Sequence, residues 1–184
     1  LAERGLVPDF MIRAGIRNLC KKRLNQCQAD DCEANAELAE KYINESDASP
    51  MAVLTEKANQ QHYEVPAEFY RYALGKNYKY SCCYYDSKND SLDQAEDRAL
   101  ALTCEHANLE NGLDILELGC GWGSLSLWMA KHFPKSKITS ISNSNSQREY
   151  IMGQAGRRGL ENRTVHTEDI NEFETDSQFD RVVS

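Results

Sequence analysis

The sequence predicts an α/β fold, a Rossmann-like doubly wound parallel sheet, and three observations support that prediction. Apolar strand patterns alternate with helical patterns through the C-terminal half of the chain. One of the strands runs directly into the glycine-rich segment 117–123, and a helical pattern follows at once. Pro134 and Gly159 mark the points where two helices are expected to stop before the next strand begins.

The N-terminal part of the chain predicts two helices of opposite charge. A basic helix is expected over 10–28, where apolar residues recur at helical spacing among five lysines and arginines. Its functional interpretation is peripheral docking on an anionic membrane surface, and the alternative is packing on its own domain. A solvated acidic helix is expected over 30–47, followed by a linker. We assign residues 1–90 to an N-terminal helical cap and substrate-side region.

Residues 91–184 predict the N-terminal half of a cofactor-binding domain. A helix is expected to open it over 93–102, with Ser91 as its N-cap. The elements that follow are strands 115–118, 138–141, 164–167 and 180–184, with helices 124–132 and 146–158 between them. In a doubly wound sheet of order 3-2-1-4, the fourth strand would end this chain as an uncovered edge. Since parallel strands are normally covered on both faces, we expect the chain to be a fragment of a longer protein.

Charge and cysteine content narrow the classes of function. A net charge of −8 and a pI near 5.1 argue against nucleic acid as a general partner. No apolar run is long enough for a signal peptide or a membrane span. The odd number of cysteines, seven, favours a reduced cytoplasmic compartment. Neither the cysteines nor the histidines have metal-ligand spacing, so we expect no metal site.

The segment from Glu117 to Gly123 indicates a site for a nucleotide-type cofactor. Its three glycines can adopt positive φ and let a ligand approach the backbone closely. A dinucleotide site requires G-x-G-x-x-G and an acidic residue after the second strand. Here the third glycine comes one residue early, and the second strand leads to Ser142, Asn143 and Ser144. The carboxylate of Glu117 instead lies inside the first strand, where it needs polar partners.

This spacing, E-x-G-x-G-x-G, resembles motif I of the class I S-adenosylmethionine-dependent methyltransferases. Further motifs, in the same order, resemble the cyclopropane-fatty-acid synthase superfamily: Gln61–Tyr70, Leu74-Gly75-Lys76 and Tyr80-Ser81-Cys82. Two more are similar to the coclaurine N-methyltransferase branch of that superfamily: Pro8–Arg17 and Asn143–Gln147. The resemblance extends over nearly the whole chain.

The resemblance implies that the cofactor is S-adenosylmethionine. By this resemblance, Tyr80 and Ser81 contact the methionyl portion, Asn143 and Gln147 reach the ribose, and residues 168–170 flank the adenine. The positions expected to contact the cofactor are Tyr80, Ser81, Glu117, Gly119, Cys120, Gly121, Gly123, Asn143, Gln147, Asp169 and Ile170.

Structural roles remain open as alternatives at several of these positions and their neighbours. Tyr80 and Ser81 could form a helix–loop junction, Asp169 a turn, and Gln147 the first turn of a helix. Trp122 and Trp128 are more readily explained by core packing than by stacking on substrate. His62 and Tyr63 could pack the cap instead of lining the acceptor pocket. In cyclopropane synthases the residue that matches Cys82 helps to hold a bicarbonate ion. In this chain we favour a packing role for it.

The implied function is methyl transfer from S-adenosylmethionine to the nitrogen of a small-molecule amine. The alternatives are transfer of a methyl or methylene group to a lipid alkene, and a noncatalytic cofactor-binding module. In the superfamily the acid/base pair lies on an E-x-x-x-H motif after the fourth strand. Catalytic residues are therefore expected beyond Ser184, and the 184 residues alone are expected to be inactive.

Overall fold

The computed structural model describes residues 4–27, 31–50, 52 and 67–184. The chain divides into two compact units, Leu1–Met51 and Ala52–Ser184. Residues 67–90, which the sequence analysis assigned to the cap, belong to the second unit. The reason is physical: the backbone of this segment is hydrogen-bonded to the helix that opens the cofactor domain, as shown below.

The first unit contains the two predicted helices, which are confirmed as α1 (Asp9–Cys27) and α2 (Cys32–Asp47). Helix α2 begins at the N-cap Asp31, whose carboxylate accepts the backbone N–H of Ala34 at 2.7 Å. Large apolar side chains of α1 remain exposed, among them Phe10 and Leu19. Their exposure does not test membrane docking by α1, which stays a prediction.

The second unit contains four helices and four strands among its described residues. They are α3 (Ala67–Ala73), α4 (Leu92–His106), β1 (Asp114–Leu118), α5 (Ser124–His132), β2 (Lys137–Ser142), α6 (Asn145–Arg158), β3 (Arg163–Thr167) and β4 (Arg181–Val183). All strand pairs are parallel, and the strand order is β3-β2-β1-β4, which confirms the predicted fold class. The fourth strand is shorter than expected.

The register of the sheet brings the ends of three strands to one edge. Leu118 of β1 pairs with Ile141 of β2, which in turn pairs with His166 of β3. The segments that follow these strands therefore leave the sheet at the same side, where α/β proteins bind their ligands. This edge carries most of the predicted cofactor positions.

The local signals that start and stop the helices are those expected from the sequence. Ser91 forms a capping box with Gln94, in which each residue's side chain bonds the other's backbone N–H. Gly159 ends α6 in the left-handed conformation at φ 65°. Ser144 caps the start of α6 and accepts the backbone N–H of Gln147.

Two apolar clusters fix the helices against the sheet. The first packs Leu100 of α4 and Met129 of α5 onto the sheet strands. The second packs Ile151 of α6 beside Cys120 of the glycine turn and Val165 of β3. Because Ile151 and Cys120 share one cluster, the turn is held in place by the core that holds α6.

Candidate cofactor site

The glycine turn lies between β1 and α5 at the carboxyl edge of the sheet. Gly119, Gly121 and Gly123 all have positive φ, at 74°, 52° and 80°. The backbone N–H groups of Gly119 and Cys120 both donate to the carbonyl of Ile141, at 3.1 and 2.9 Å. The turn is thereby pinned to the end of β2, and the burial of Cys120 raises the pKa of its thiol.

The three glycines meet different surroundings. A Cβ added at Gly119 or Gly121 would have no atom within 4 Å, so open space lies beside the backbone there. A Cβ at Gly123 would lie 2.5 Å from Cγ1 of Ile151. The first two glycines therefore leave room for a ligand against the turn, whereas the third allows α6 to pack closely.

Glu117 has the polar partners that its position in a buried strand requires. Its carboxylate accepts hydrogen bonds from the hydroxyls of Ser126 on α5 and of Ser140 on β2, the latter at 2.7 Å. Burial raises the pKa of this carboxyl, and the hydroxyl bonds oppose part of that rise. The two serines were not singled out from the sequence, and Ser140 stands opposite Glu117 in the register of the two strands.

Gln147 presents a buried donor at the same edge. Its side chain is only 2% exposed and lies in the first turn of α6, as the structural alternative proposed. The hydroxyl of Ser142 donates to its Oε1 at 2.7 Å. Its Nε2 has no hydrogen-bond partner among the described residues. A buried amide donor without a partner costs folding free energy, which a ligand at the predicted ribose position would recover. Asn143, the other predicted ribose contact, is half-buried beside it.

An aromatic cluster connects the turn with the segment that carries Tyr80. The Trp122 ring is buried, and its centroid lies 5.4 Å from the centroids of both Tyr70 and Tyr150. Tyr80 packs edge-on against Tyr70 at 5.4 Å. The packing role expected for Trp122 is confirmed, and its Nε1 is a second buried donor without a partner in the described part of the chain. Trp128 is half-buried and stacks on His132.

Tyr80 and Ser81 lie on the surface of the second unit. Tyr80 is 53% exposed, and the Ser81 hydroxyl accepts a hydrogen bond from the ammonium of Lys79. The packing role favoured for Cys82 is wrong: its side chain is exposed because this segment runs along the surface. The neighbouring Cys83 is half-buried, and burial raises the pKa of its thiol.

Asp169 occupies a turn after β3. Its Oδ1 accepts both the backbone N–H and the side-chain amide of Asn171 at 2.9 Å, and its carbonyl accepts the N–H of Glu172. This is the turn role that the sequence left open as the alternative. Ile170 is half-buried beside it. The contact of these residues with an adenine ring stays a prediction.

A buried carboxylate that sequence reasoning missed holds the segment before Tyr80. Glu96 of α4 is 0% exposed, and its carboxylate accepts the backbone N–H groups of Gly75, Asn77 and Lys79 at 2.9, 2.8 and 3.2 Å. A signal was present in the sequence, because Glu96 lies on the same helical face as Ala99 and Leu100, which is the apolar face of α4.

Three further expectations concern the cap residues His62 and Tyr63, a metal site and a membrane span. His62 and Tyr63 lie outside the described residues. Within the described ranges, no group of three or more His, Cys, Asp and Glu side chains could hold a metal ion. None of the helices in the described part of the chain has the length and apolar character needed to cross a membrane.

The parallel sheet and its E-x-G-x-G-x-G turn define a protein of the S-adenosylmethionine-dependent methyltransferase superfamily. A family model described as mycolic acid cyclopropane synthetase matches residues 53–184. The match covers more than half of the chain, and the chain belongs to this family.

Relatives include N-methyltransferases and lipid-modifying enzymes. The chain is 36% identical to (S)-coclaurine N-methyltransferase from Thalictrum flavum subsp. glaucum, over 98% of this chain and 50% of that protein. It is 30% identical to cyclopropane-fatty-acyl-phospholipid synthase from Escherichia coli strain K12, over 68% of this chain and 31% of that protein. The chain thus spans about half the length of the curated N-methyltransferases it matches.

A solved structure has the same fold over almost the whole chain. It is coclaurine N-methyltransferase bound to N-methylheliamine and SAH, with a TM-score of 0.88 and 35% sequence identity. The alignment covers 97% of this chain and 51% of the other.

Proposed function

We propose that this protein binds S-adenosylmethionine at the glycine turn and transfers its methyl group to the nitrogen of a small-molecule amine. The observation that carries the proposal is the extent of similarity to (S)-coclaurine N-methyltransferase, which covers 98% of the chain. The similarity to the lipid-modifying synthase covers 68%. The solved relative with SAH and N-methylheliamine supports both the cofactor and the amine acceptor.

The described residues fit the cofactor in two respects. The open space beside Gly119 and Gly121 lets a ligand lie directly against the backbone of the turn. The unpartnered Nε2 of Gln147 supplies a buried hydrogen-bond donor where the resemblance places the ribose. Asn143 would add polar contacts to the ribose, and Tyr80 with Ser81 would contact the methionyl end.

When bound, S-adenosylmethionine supplies an electrophilic methyl group on a sulfonium centre. The protein must then hold an amine nitrogen in line with that methyl group, with the reacting atoms ~3–3.5 Å apart. The nitrogen must also be unprotonated, because its lone pair forms the new bond. The turn and α6 supply the rigid side of this arrangement, since both are fixed by the cluster around Ile151.

Exposed aromatic rings favour an amine acceptor over a lipid alkene. Phe69, Tyr80, Tyr84 and Tyr85 are each at least half exposed and belong to one stretch of the second unit. Aromatic faces attract cationic and aromatic ligands, by about 0.5–2 kcal/mol for a well-placed cation. A ring system that carries a protonatable nitrogen is therefore a better match for these exposed rings than an acyl chain.

The proposal is tested in two stages. The first is titration calorimetry of the protein with S-adenosylhomocysteine, for which we expect saturable binding. The second is an assay with labelled S-adenosylmethionine, run on a form of the protein that includes the acid/base motif expected beyond Ser184, since the 184 residues alone are expected to be inactive. It uses two sets of acceptors, cyclic secondary amines and vesicles of unsaturated phospholipid. We expect label on amine nitrogen. Absence of cofactor binding would refute the proposal, and label found only on the lipid would replace it with the cyclopropane-synthase alternative.

A further inference from the structure

Helix α4 holds the loop formed by residues 75–79 through its acidic side chains. Besides the three N–H groups bound by Glu96, the backbone N–H of Lys76 donates to Asp93 at 2.8 Å. The Lys76 ammonium pairs with Asp97 at 2.6 Å, and the Asn77 side-chain amide donates to the same carboxylate at 2.7 Å. These six contacts with three carboxylates leave the loop little freedom to move away from the helix.

The contact between Glu96 and the loop is close. A Cβ at Gly75 would lie 2.7 Å from both Cδ and Oε2 of Glu96, so only glycine leaves room for the carboxylate. The loop also contains Tyr78 in the left-handed region at φ 56°, with its N–H donated to the carbonyl of Gly75 at 3.1 Å. A tyrosine is rarely found in this conformation and persists in it only where surrounding contacts impose it.

Burying a carboxylate in an apolar helix face is costly unless its oxygens are well hydrogen-bonded. One carboxylate oxygen of Glu96 accepts the backbone N–H groups of Gly75 and Lys79, and the other accepts that of Asn77. No Lys or Arg pairs with Glu96 among the ion pairs of the described residues, so the backbone of the loop is its counterpart. An apolar residue could not accept these three N–H groups, so the loop accounts for a carboxylate at this buried position.

The loop leads directly to the predicted contacts with the methionyl end of the cofactor. Tyr80 follows Lys79, the last residue bound by Glu96, and its ring rests on Tyr70 in the cluster that includes Trp122. The side chain of Lys79 in turn bonds the hydroxyl of Ser81. A shift of the loop would therefore displace both predicted methionyl contacts. Its contact with α6 is the Tyr78 ring, whose centroid lies 5.4 Å from that of Tyr150, whereas Gln147 is held from the other side by the Ser142 hydroxyl, so we expect the Gln147 side of the site to change less.

We propose that Glu96 is a positioning residue that acts through residues 75–79 to place Tyr80 and Ser81 against the amino-acid end of S-adenosylmethionine. This inference rests on the proposed function. It predicts selectivity between two ligands, because S-adenosylhomocysteine has the amino-acid end and 5′-methylthioadenosine lacks it.

The experiment compares the affinities of these two ligands by titration calorimetry. Glu96→Gln keeps the size of the side chain but leaves one acceptor oxygen instead of two. We expect the Kd for S-adenosylhomocysteine to rise about tenfold, as for the loss of one strong hydrogen bond, and the Kd for 5′-methylthioadenosine to change less than about twofold. The control is Glu105→Gln, the same change at an exposed position of α4, which should affect neither Kd.

A second variant displaces the carboxylate without removing it. Gly75→Ala puts a methyl group 2.7 Å from the carboxylates of both Glu96 and Asp93, which hold the loop together. It should show the same selective loss, so it tests the positioning of the loop by α4 if Glu96→Gln does not fold. Equal loss of affinity for both ligands, or none for either, would overturn the positioning role. Failure of the unaltered protein to bind either ligand would instead refute the proposed function, so the two failures are distinguishable.

Discussion

Glu117 and Ser140 face each other across neighbouring parallel strands, and the Ser140 hydroxyl donates to the Glu117 carboxylate at 2.7 Å. The carboxylate points into the layer between sheet and helices, where Ser126 is its other partner. The acidic residue of the E-x-G-x-G-x-G motif therefore ties β1 to β2 and to α5, the helix that follows the turn. Any direct contact with the cofactor stays a prediction.

The burial of Glu117 makes a distinct pH dependence testable. Its folded-state pKa is raised above the ordinary value of 4.5, mainly by desolvation, so the folded protein holds this proton more tightly than the unfolded chain. The corresponding stability is present at low pH and is lost as pH rises from about 4.5 through the folded-state pKa. We expect urea unfolding to show that the native protein loses stability relative to Glu117→Gln between about pH 5 and about pH 8.

The comparison requires a control, because many carboxyl groups titrate at the lower end of this range. Glu161→Gln makes the same change at an exposed position beside β3 and should track the native protein at both pH values. If the difference in unfolding free energy between the native protein and Glu117→Gln is the same at both, then burial does not raise the pKa of Glu117.

Two glycines of the turn should respond differently to alanine. Gly121→Ala introduces a side chain at positive φ into open space, for which we expect a loss of about 1–2 kcal/mol. Gly123→Ala has the same backbone cost and also forces Ile151 to move, which adds about 1–3 kcal/mol. Chemical denaturation of both variants measures the difference, and equal destabilisation would show that α6 does not pack against Gly123 as described.

Gln147→Leu separates a binding role from a structural one. The change removes a buried donor that has no partner in the described structure, but it also takes the Oε1 acceptor from the buried Ser142 hydroxyl, so we expect the unfolding free energy to fall by about 1–3 kcal/mol. Affinity for both S-adenosylhomocysteine and 5′-methylthioadenosine should fall about tenfold, because the ribose is common to the two ligands. Unchanged affinity for both ligands would remove Gln147 from the predicted site.

Gln178→Leu provides the matched control for this prediction, since it makes the same substitution at an exposed loop position. The pattern expected for Gln147→Leu, equal loss for the two ligands, also differs from the selective loss expected for Glu96→Gln. The two variants therefore examine opposite ends of the cofactor with one pair of ligands.

The sequence predicted those features that depend on local patterns. Glycine spacing, strand alternation and the cap at Ser91 identified the turn, the strands and the start of α4, since each involves residues near one another in the chain. The strand order followed from the doubly wound fold class. The partners of Glu117 and Glu96 depend instead on tertiary contacts across about 9–23 residues. The Glu96 contacts tie residues 75–79 to α4, which no change in composition near residue 90 indicated.

Cysteine reactivity offers a test of the turn that needs no ligand. Four cysteines are exposed and should be alkylated readily by iodoacetamide: Cys20, Cys27, Cys32 and Cys82. Burial raises the pKa of Cys104 to about 11, so at about pH 8 roughly one thiol in a thousand is ionised there. Burial likewise raises the pKa of Cys120 within the turn.

Peptide mass spectrometry after short labelling should therefore find Cys104 and Cys120 unmodified until the protein is unfolded. Cys120 is the informative position, because its N–H donates to Ile141 and its side chain packs beside Ile151. Alkylation of Cys120 as fast as that of the exposed Cys82, with Cys104 still protected, would mean that the turn opens locally while the rest of the core stays folded. A preformed cofactor site requires the opposite, because a turn that is already fixed before binding loses less conformational entropy when the ligand arrives.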